Sequence, residues 1–251
     1  MAGHSHSANI ARRKGAVDKK RGKVFSKISS LIISAARTGG GDPDMNLRLR
    51  YSIEAARAAN MPKDTIERAI KKGTGSKDGD WQELVYEGYA PGGIALMVTC
   101  LTDNRHRTAP DIKHIFEKHH GNLGAPGSVA FLFQHRAMFV VETAGKNEEQ
   151  ITELALDVGA DDIEYDNDLA VIYAAPADFL SVKAALDTRG LVFRSAELAY
   201  VPQNRIALAD KDDARRILKL VEALEDLDDV QNVFANYDMP AEWLEELSPG
   251  A

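Results

Sequence analysis

Apolar residues recur at helical spacing through the first third of the chain, then give way to alternating and continuous apolar runs. Val24, Ile28, Leu31, Ile32 and Ala35 predict an amphipathic helix over about residues 16–36, and Thr38-Gly39-Gly40-Gly41 stops it. A second helix follows, N-capped by Asp42 or Asp44 beside Pro43, and runs through Leu47, Tyr51, Ala55 and Ala58 to Asn60. A third begins near Pro62 and Lys63, buries Ile66, Ala69 and Ile70, carries Lys71 and Lys72 in its last turn and ends at Gly73. Three short helices make one small bundle. Gly73-Thr74-Gly75-Ser76-Lys77-Asp78-Gly79-Asp80 has the composition of a linker.

Beyond the linker, strands alternate with helices. Strands are expected at 84–89, 94–101 and 129–133, with a helix from about Ala109 to His119. Then come a strand at 138–142, a helix at 148–158, strands at 163–165 and 169–174, a helix at 177–188 and a strand at 195–200. This βαββαβ order is that of a ferredoxin-like module. A last helix at 211–224 and a strand at 230–236 are too small a remainder to bury a core alone, so they are expected to pack back onto 80–134. The fold class is therefore α+β with three domains. They are an N-terminal helical bundle (1–77), a discontinuous central α/β domain (78–134 plus 205–251) and an inserted ferredoxin-like α/β domain (135–204).

Charge changes the picture. The net formal charge of -7 divides into 17 Lys/Arg against 6 Asp/Glu in residues 1–77, and 14 against 32 in residues 78–251. A basic module of +11 joined to an acidic body of -18 suggests local, oriented binding to a polyanion. On the first helix Lys19, Lys23 and Lys27 are spaced by four, and Arg12 shares their face if the helix extends that far back, so the cations form a stripe away from the apolar one. No run of 18 or more apolar residues is present, so a transmembrane helix is not expected. The sole cysteine, Cys100, sits in an apolar run and fits a buried residue in a reducing compartment. Residues 1–37 hold one acid, Asp18, a composition shared with transit peptides. The basic pattern nevertheless continues to Lys77, which favours an intact cytoplasmic chain.

Enzyme motifs fail in turn, and no catalytic residue, metal ligand or cofactor is assigned. The glycine run at 39–41 lacks the Gly-Lys-Ser/Thr ending of a phosphate-cradling loop and has no strand before it. No Gly-x-Ser-x-Gly elbow is present. His4 and His6 with His119 and His120 make a weak metal set. The acidic run Glu222, Glu225, Asp226, Asp228 and Asp229 lacks calcium-loop spacing and reads as a solvated helix end. Binding to nucleic acid asks only for a rigid scaffold that presents cations to phosphates. The candidate binding residues are Arg12, Arg13, Lys14, Lys19, Lys20, Arg21, Lys23, Lys27, Lys71 and Lys72. No base-reading helix or aromatic RNA platform is evident.

Several longer motifs point to one family. Met1-Ala2-Gly3-His4-Ser5, Ala8-Asn9-Ile10, Lys20-Arg21-Gly22-Lys23 with Phe25, Asn60-Met61-Pro62-Lys63, and Ile66-Glu67-Arg68-Ala69-Ile70 resemble the YebC/PmpR family. So do Tyr86-Glu87-Gly88-Tyr89-Ala90-Pro91-Gly92-Gly93, Leu101-Thr102-Asp103-Asn104-Arg105 with Arg107-Thr108, Gly121-Asn122-Leu123-Gly124, Gly127-Ser128-Val129 and the stretch Leu224 to Val233. The resemblance covers nearly the whole chain, and the family's eukaryotic relatives include the mitochondrial translational activator of cytochrome c oxidase I. It implies a helical N-terminal domain, a central α/β domain completed by the C-terminus and an inserted α/β domain. It also implies a cytoplasmic DNA-binding transcriptional regulator, with translation factors acting on stalled ribosomes among the members. Where the family usually has Lys-Trp before Ala-Asn-Ile, this chain has His6-Ser7, losing a cation and a ring that could stack on a base.

The expectation is thus a non-enzymatic nucleic-acid-binding regulator of gene expression. Its target is DNA in transcription control, or alternatively the ribosome and its RNA in translation control. A further alternative is a protein-docking module whose basic face meets an acidic partner, and the acidic α/β domains offer a second surface for a protein partner.

Overall fold

The computed structural model describes residues 21–75, 81–166 and 168–247. Its first three helices are α1 (Arg21–Gly39), α2 (Leu47–Ala58) and α3 (Lys63–Gly75). Ile28, Ile32, Ile33 and Ala36 of α1 meet Leu49, Ile53 and Ala56 of α2 and Ile66 and Ala69 of α3 in one buried cluster. Gly40 closes α1 in a left-handed conformation (φ 84°), donating its N–H to Ala36 O at 2.9 Å. The N-cap of α2 is Asn46, not Asp42 or Asp44. Its buried amide accepts from Leu49 N–H at 3.1 Å and donates to Ala35 O and Gly40 O at 2.8 and 2.9 Å. A carboxylate cannot donate, so only asparagine can tie both helices at this point. Asp42 instead accepts Asp44 N–H at 2.9 Å in a local turn. Gly73, expected to end α3, lies inside it: a Cβ there would sit 2.7 Å from both Ala36 Cβ and Ile33 O, so the glycine marks the closest approach of α1 and α3.

The central region contains β1 (Gln82–Tyr89), β2 (Ala95–Thr102), α4 (Arg105–Lys118) and β3 (Asn122–Leu123). Asn104 caps α4, accepting from His106 and Arg107 N–H, while Thr102 Oγ1 accepts Asn104 N–H at 2.9 Å. The helix therefore starts four residues before the expected Ala109, with Pro110 in its interior. The strand expected at 129–133 is instead a 3-10 turn over Ala130–Leu132, because Val129 and Ala130 donate their N–H groups to a side chain, not to a neighbouring strand.

The module that follows runs β4 (Phe133–Glu142), α5 (Glu148–Asp157), β5 (Asp162–Asp166), β6 (Leu169–Ala174), α6 (Phe179–Thr188) and β7 (Phe193–Pro202). Its strands pair antiparallel in the order β5-β6-β4-β7, the ferredoxin-like arrangement. Phe139, Val141 and Ile172 pack on Ile151 of α5 and on Val182 and Leu186 of α6. A capping box between Asn147 and Gln150 fixes the start of α5.

The chain continues through β8 (Ile206–Ala207), α7 (Lys211–Glu225), β9 (Val230–Ala235), β10 (Tyr237–Asp238) and α8 (Ala241–Leu247). β9 pairs antiparallel with β2, completing a central sheet in the order β3-β1-β2-β9. β10 pairs in parallel with β8, and Lys211 bridges Glu246 at 2.7 Å. Chain contacts therefore divide the described residues into two compact units, 21–130 with 215–235 and 131–214 with 236–247. Helical bundle and central sheet belong to the same unit. Among the described residues no helix is long and apolar enough to cross a membrane.

Candidate nucleic-acid interface

Of the ten candidate cations, Arg12, Arg13, Lys14, Lys19 and Lys20 lie outside the described residues, and Arg21 opens α1. The structure separates the other four into two groups. Lys23 Nζ donates to Asp226 O at 2.8 Å and bridges Asp226 Oδ1 at 2.9 Å, and Lys27 Nζ donates to Glu225 O at 2.8 Å. Both ammonium groups thus satisfy carbonyls that the C-terminal end of α7 leaves without intrahelical partners, where a cation also opposes the helix dipole. The regular four-residue spacing of Lys23 and Lys27 serves attachment of α1 to α7. Replacing both with alanine is expected to lower stability by roughly 1 kcal/mol, the scale for partly exposed charged hydrogen bonds. In a titration against duplex DNA it is expected to leave the salt dependence unchanged. Equilibrium denaturation and a salt-dependent titration check the two halves.

Lys71 and Lys72 are placed differently. α3 turns Ile66, Ala69 and Gly73 inward, leaving Lys63, Glu67 and Lys71 on one exposed line and Asp64, Arg68 and Lys72 on the next. Lys63 meets Glu67 at 3.5 Å, and Arg68 donates to Asp64 O and Thr65 Oγ1, both at 3.1 Å. Lys71 and Lys72 have no ion-pair partner among the described residues. Arg57 is a further exposed cation on α2. Locked against α1 at Gly73, the C-terminal part of α3 is a rigid mount for unneutralised charge.

Two networks are not predicted by periodicity or charge, although most of their residues fall within the family-like motifs. Glu87, 7% exposed, accepts from Gly127 N–H at 2.6 Å and from Val129 and Ala130 N–H, both at 2.8 Å. Burial alone would raise this carboxyl's pKa, but the three backbone donors outweigh it and hold the value below that of an ordinary glutamate. The second network centres on Asp229, in the run expected to be a solvated helix end. Both of its oxygens accept from Arg107 Nη2 at 2.9 Å, and Oδ2 accepts from Thr108 Oγ1 at 2.7 Å. Asp103 adds a second carboxylate to Arg107 at 3.2 Å, and the Thr108 hydroxyl lies 2.9 Å from that of Thr102. The acidic run thus binds the N-terminal turn of α4 through Asp229 and α1 through Glu225 and Asp226.

Cys100 is 2% exposed, and burial, reinforced by Asp229 and opposed by Lys27, pushes its thiol up to about 12. A thiolate nucleophile is disfavoured there. Among the described residues no group of three or more His, Cys, Asp or Glu is placed to hold a metal ion. In the ferredoxin-like module one side of the sheet packs on α5 and α6, and on the other Met138, Val140, Val171 and Tyr173 are also buried. On β4 and β7 the exposed His135 ring stacks on that of Tyr200, with centroids 4.8 Å apart.

Comparison with known proteins gives a consistent result. Residues 5–76 match the model of the TACO1/YebC protein N-terminal domain, and residues 81–237 match that of the TACO1/YebC second and third domain. The chain is 47% identical over 251 residues to a probable transcriptional regulatory protein of Halothermothrix orenii, covering 99% of each chain. It is 45% identical over 248 residues to one of Aquifex aeolicus, covering 98% of this chain and all of that one. A crystal structure of a conserved hypothetical protein from Aquifex aeolicus superposes with a TM-score of 0.80 at 45% identity, covering 89% of this chain and 93% of the other.

Proposed function

The chain belongs to the TACO1/YebC family, and on that premise we propose that it is a non-enzymatic, DNA-binding regulator of transcription whose basic bundle engages the phosphate backbone. The observation that carries this reading is the rigid presentation of Lys71 and Lys72 on a bundle whose sequence holds a large excess of cations. The relatives, named as probable transcriptional regulatory proteins, support the regulatory role. The binding is a backbone contact first. Counterion release makes its strength fall with salt in proportion to the phosphates neutralised.

The test is a salt series. Lys71→Ala combined with Lys72→Ala should lower the magnitude of the slope of log affinity against log salt by about 1.8 on duplex DNA, about 0.9 for each phosphate no longer neutralised. An unchanged slope removes α3 from the interface. Tighter, more salt-resistant binding to ribosomes than to any duplex would move the same basic face to translation control.

A further inference from the structure

The acidic body is not uniformly acidic. At the C-terminal end of α4, Lys118, His119 and His120 follow one another, His114 lies one turn before Lys118 on the same face, and Lys219 of α7 is close enough to act electrostatically on His119. Lys118, His114, His120 and Lys219 are exposed, and none of the four has an ion-pair partner among the described residues. On the two helices themselves, Glu117 is drawn toward Lys113 at 3.7 Å, Asp111 lies one turn before His114, and Glu222 lies about one turn beyond Lys219, with Arg215 one turn before it.

The backbone here is fixed. His120 N–H donates to Glu117 O at 3.1 Å and Gly121 N–H to Phe116 O at 2.8 Å, a Schellman closure that puts His120 at φ 60°. Glycine would occupy that position without steric cost, yet the chain holds a histidine there. Burial comes first in lowering the pKa of His119, and every neighbouring charge that acts on it, Lys118, His120 and Lys219, pushes the same way. Exposed Lys118, His120 and Lys219 therefore surround His119 within a body whose sequence is strongly negative.

We propose that His114, Lys118, His119, His120 and Lys219 form a second phosphate-contact surface on the central domain, so that nucleic acid held by the basic bundle is gripped at two places. An island of unpaired cations and imidazoles in an otherwise acidic domain complements a polyanion, and the acidic surroundings confine that polyanion to it. The inference rests on the reading that the chain binds a nucleic-acid backbone, and the test separates the two.

The full chain is titrated with a fluorescent random-sequence DNA duplex across a salt series, as wild type, as Lys118→Ala with Lys219→Ala, and as Lys71→Ala with Lys72→Ala. Both substituted pairs are exposed side chains, and circular dichroism checks that each variant keeps the wild-type fold. The expected result is a slope reduced by about 1.8 for the Lys118/Lys219 pair, about 0.9 for each phosphate that the variant leaves unneutralised. A similar reduction for the Lys71/Lys72 pair shows both grips. A wild-type slope for the Lys118/Lys219 variant alongside a reduced one for Lys71/Lys72 overturns the second surface and leaves the bundle interface standing. Wild-type slopes for both overturn both. A reduced slope for Lys118/Lys219 alone sustains this surface and removes α3 from the interface.

Discussion

Replacing Glu87 with alanine is expected to destabilise the unit containing the bundle and central sheet by about 3 kcal/mol, because three backbone N–H groups are deprived of one shared carboxylate. Val129 N–H is buried and keeps no acceptor; Gly127 is exposed and Ala130 half-buried, so water recovers part of the loss. Glu87→Gln, which keeps the volume and one acceptor oxygen, should cost about half as much. The pH dependence has a definite sign. The folded carboxyl titrates below its unfolded value, so its contribution is fully present above the ordinary glutamate value of about 4.3 and is lost as pH falls through the lower folded value. Denaturant midpoints measured from about pH 7 down to about pH 3 should therefore converge for wild type and Glu87→Gln at the acid end. A constant gap across that range contradicts the clamp.

The second large effect is at Gly73. Valine there places a Cβ 2.7 Å from Ala36 Cβ and from Ile33 O, and adds two methyl groups to an approach already too close for one. Overpacking of this kind costs about 2 to 3 kcal/mol as α1 and α3 are forced apart. Gly73→Ala recovers about 1 kcal/mol in helix propensity and so should be milder but still destabilising. Because Lys71 and Lys72 occupy the same turn, both variants should also weaken nucleic-acid binding more than their position away from the surface suggests. A Gly73→Ala protein as stable as wild type would show that the two helices are free to separate.

Much of the architecture is readable from periodicity. The edges of β6 follow directly from Leu169 to Ala174, where turn residues bound a continuous apolar run. The order of strands and helices from β4 to β7 is enough to identify the ferredoxin-like module. What periodicity does not supply are features decided by side-chain hydrogen bonds. Asn46, Asp42 and Asp44 are all good capping types, and only the two carbonyls beside Asn46 distinguish a donor from an acceptor. The expected start of α4 at Ala109 misses its first turn, because Asn104 and Thr102 close that helix end through side-chain hydrogen bonds that periodicity does not show. The short pairing of β8 with β10, two residues each, carries no periodic signal at all.

The candidate site is legible in charge and not in geometry. Spacing by four correctly puts Lys23 and Lys27 on one face of α1, but spacing does not say what that face meets. Here it meets the end of α7, about two hundred positions away in the chain. Lys71 and Lys72 are marked out by an expected helix end at Gly73; the helix runs on to Gly75, and their exposure follows from the inward positions of Ala69 and Gly73. The grouping of Lys118, His119 and His120 with Lys219 needs α7 brought beside the end of α4 and has no sequence signature.

Whether the basic bundle binds nucleic acid through its backbone is tested most directly by titrating the full chain against duplex DNA and against ribosomes, side by side. About 150 mM salt is the right condition, because weak non-specific attraction is screened there. The expected result is binding to duplex DNA that weakens steeply with added salt and disappears on nuclease treatment. Binding that survives complete digestion of the nucleic acid, or no binding to either target, would contradict it.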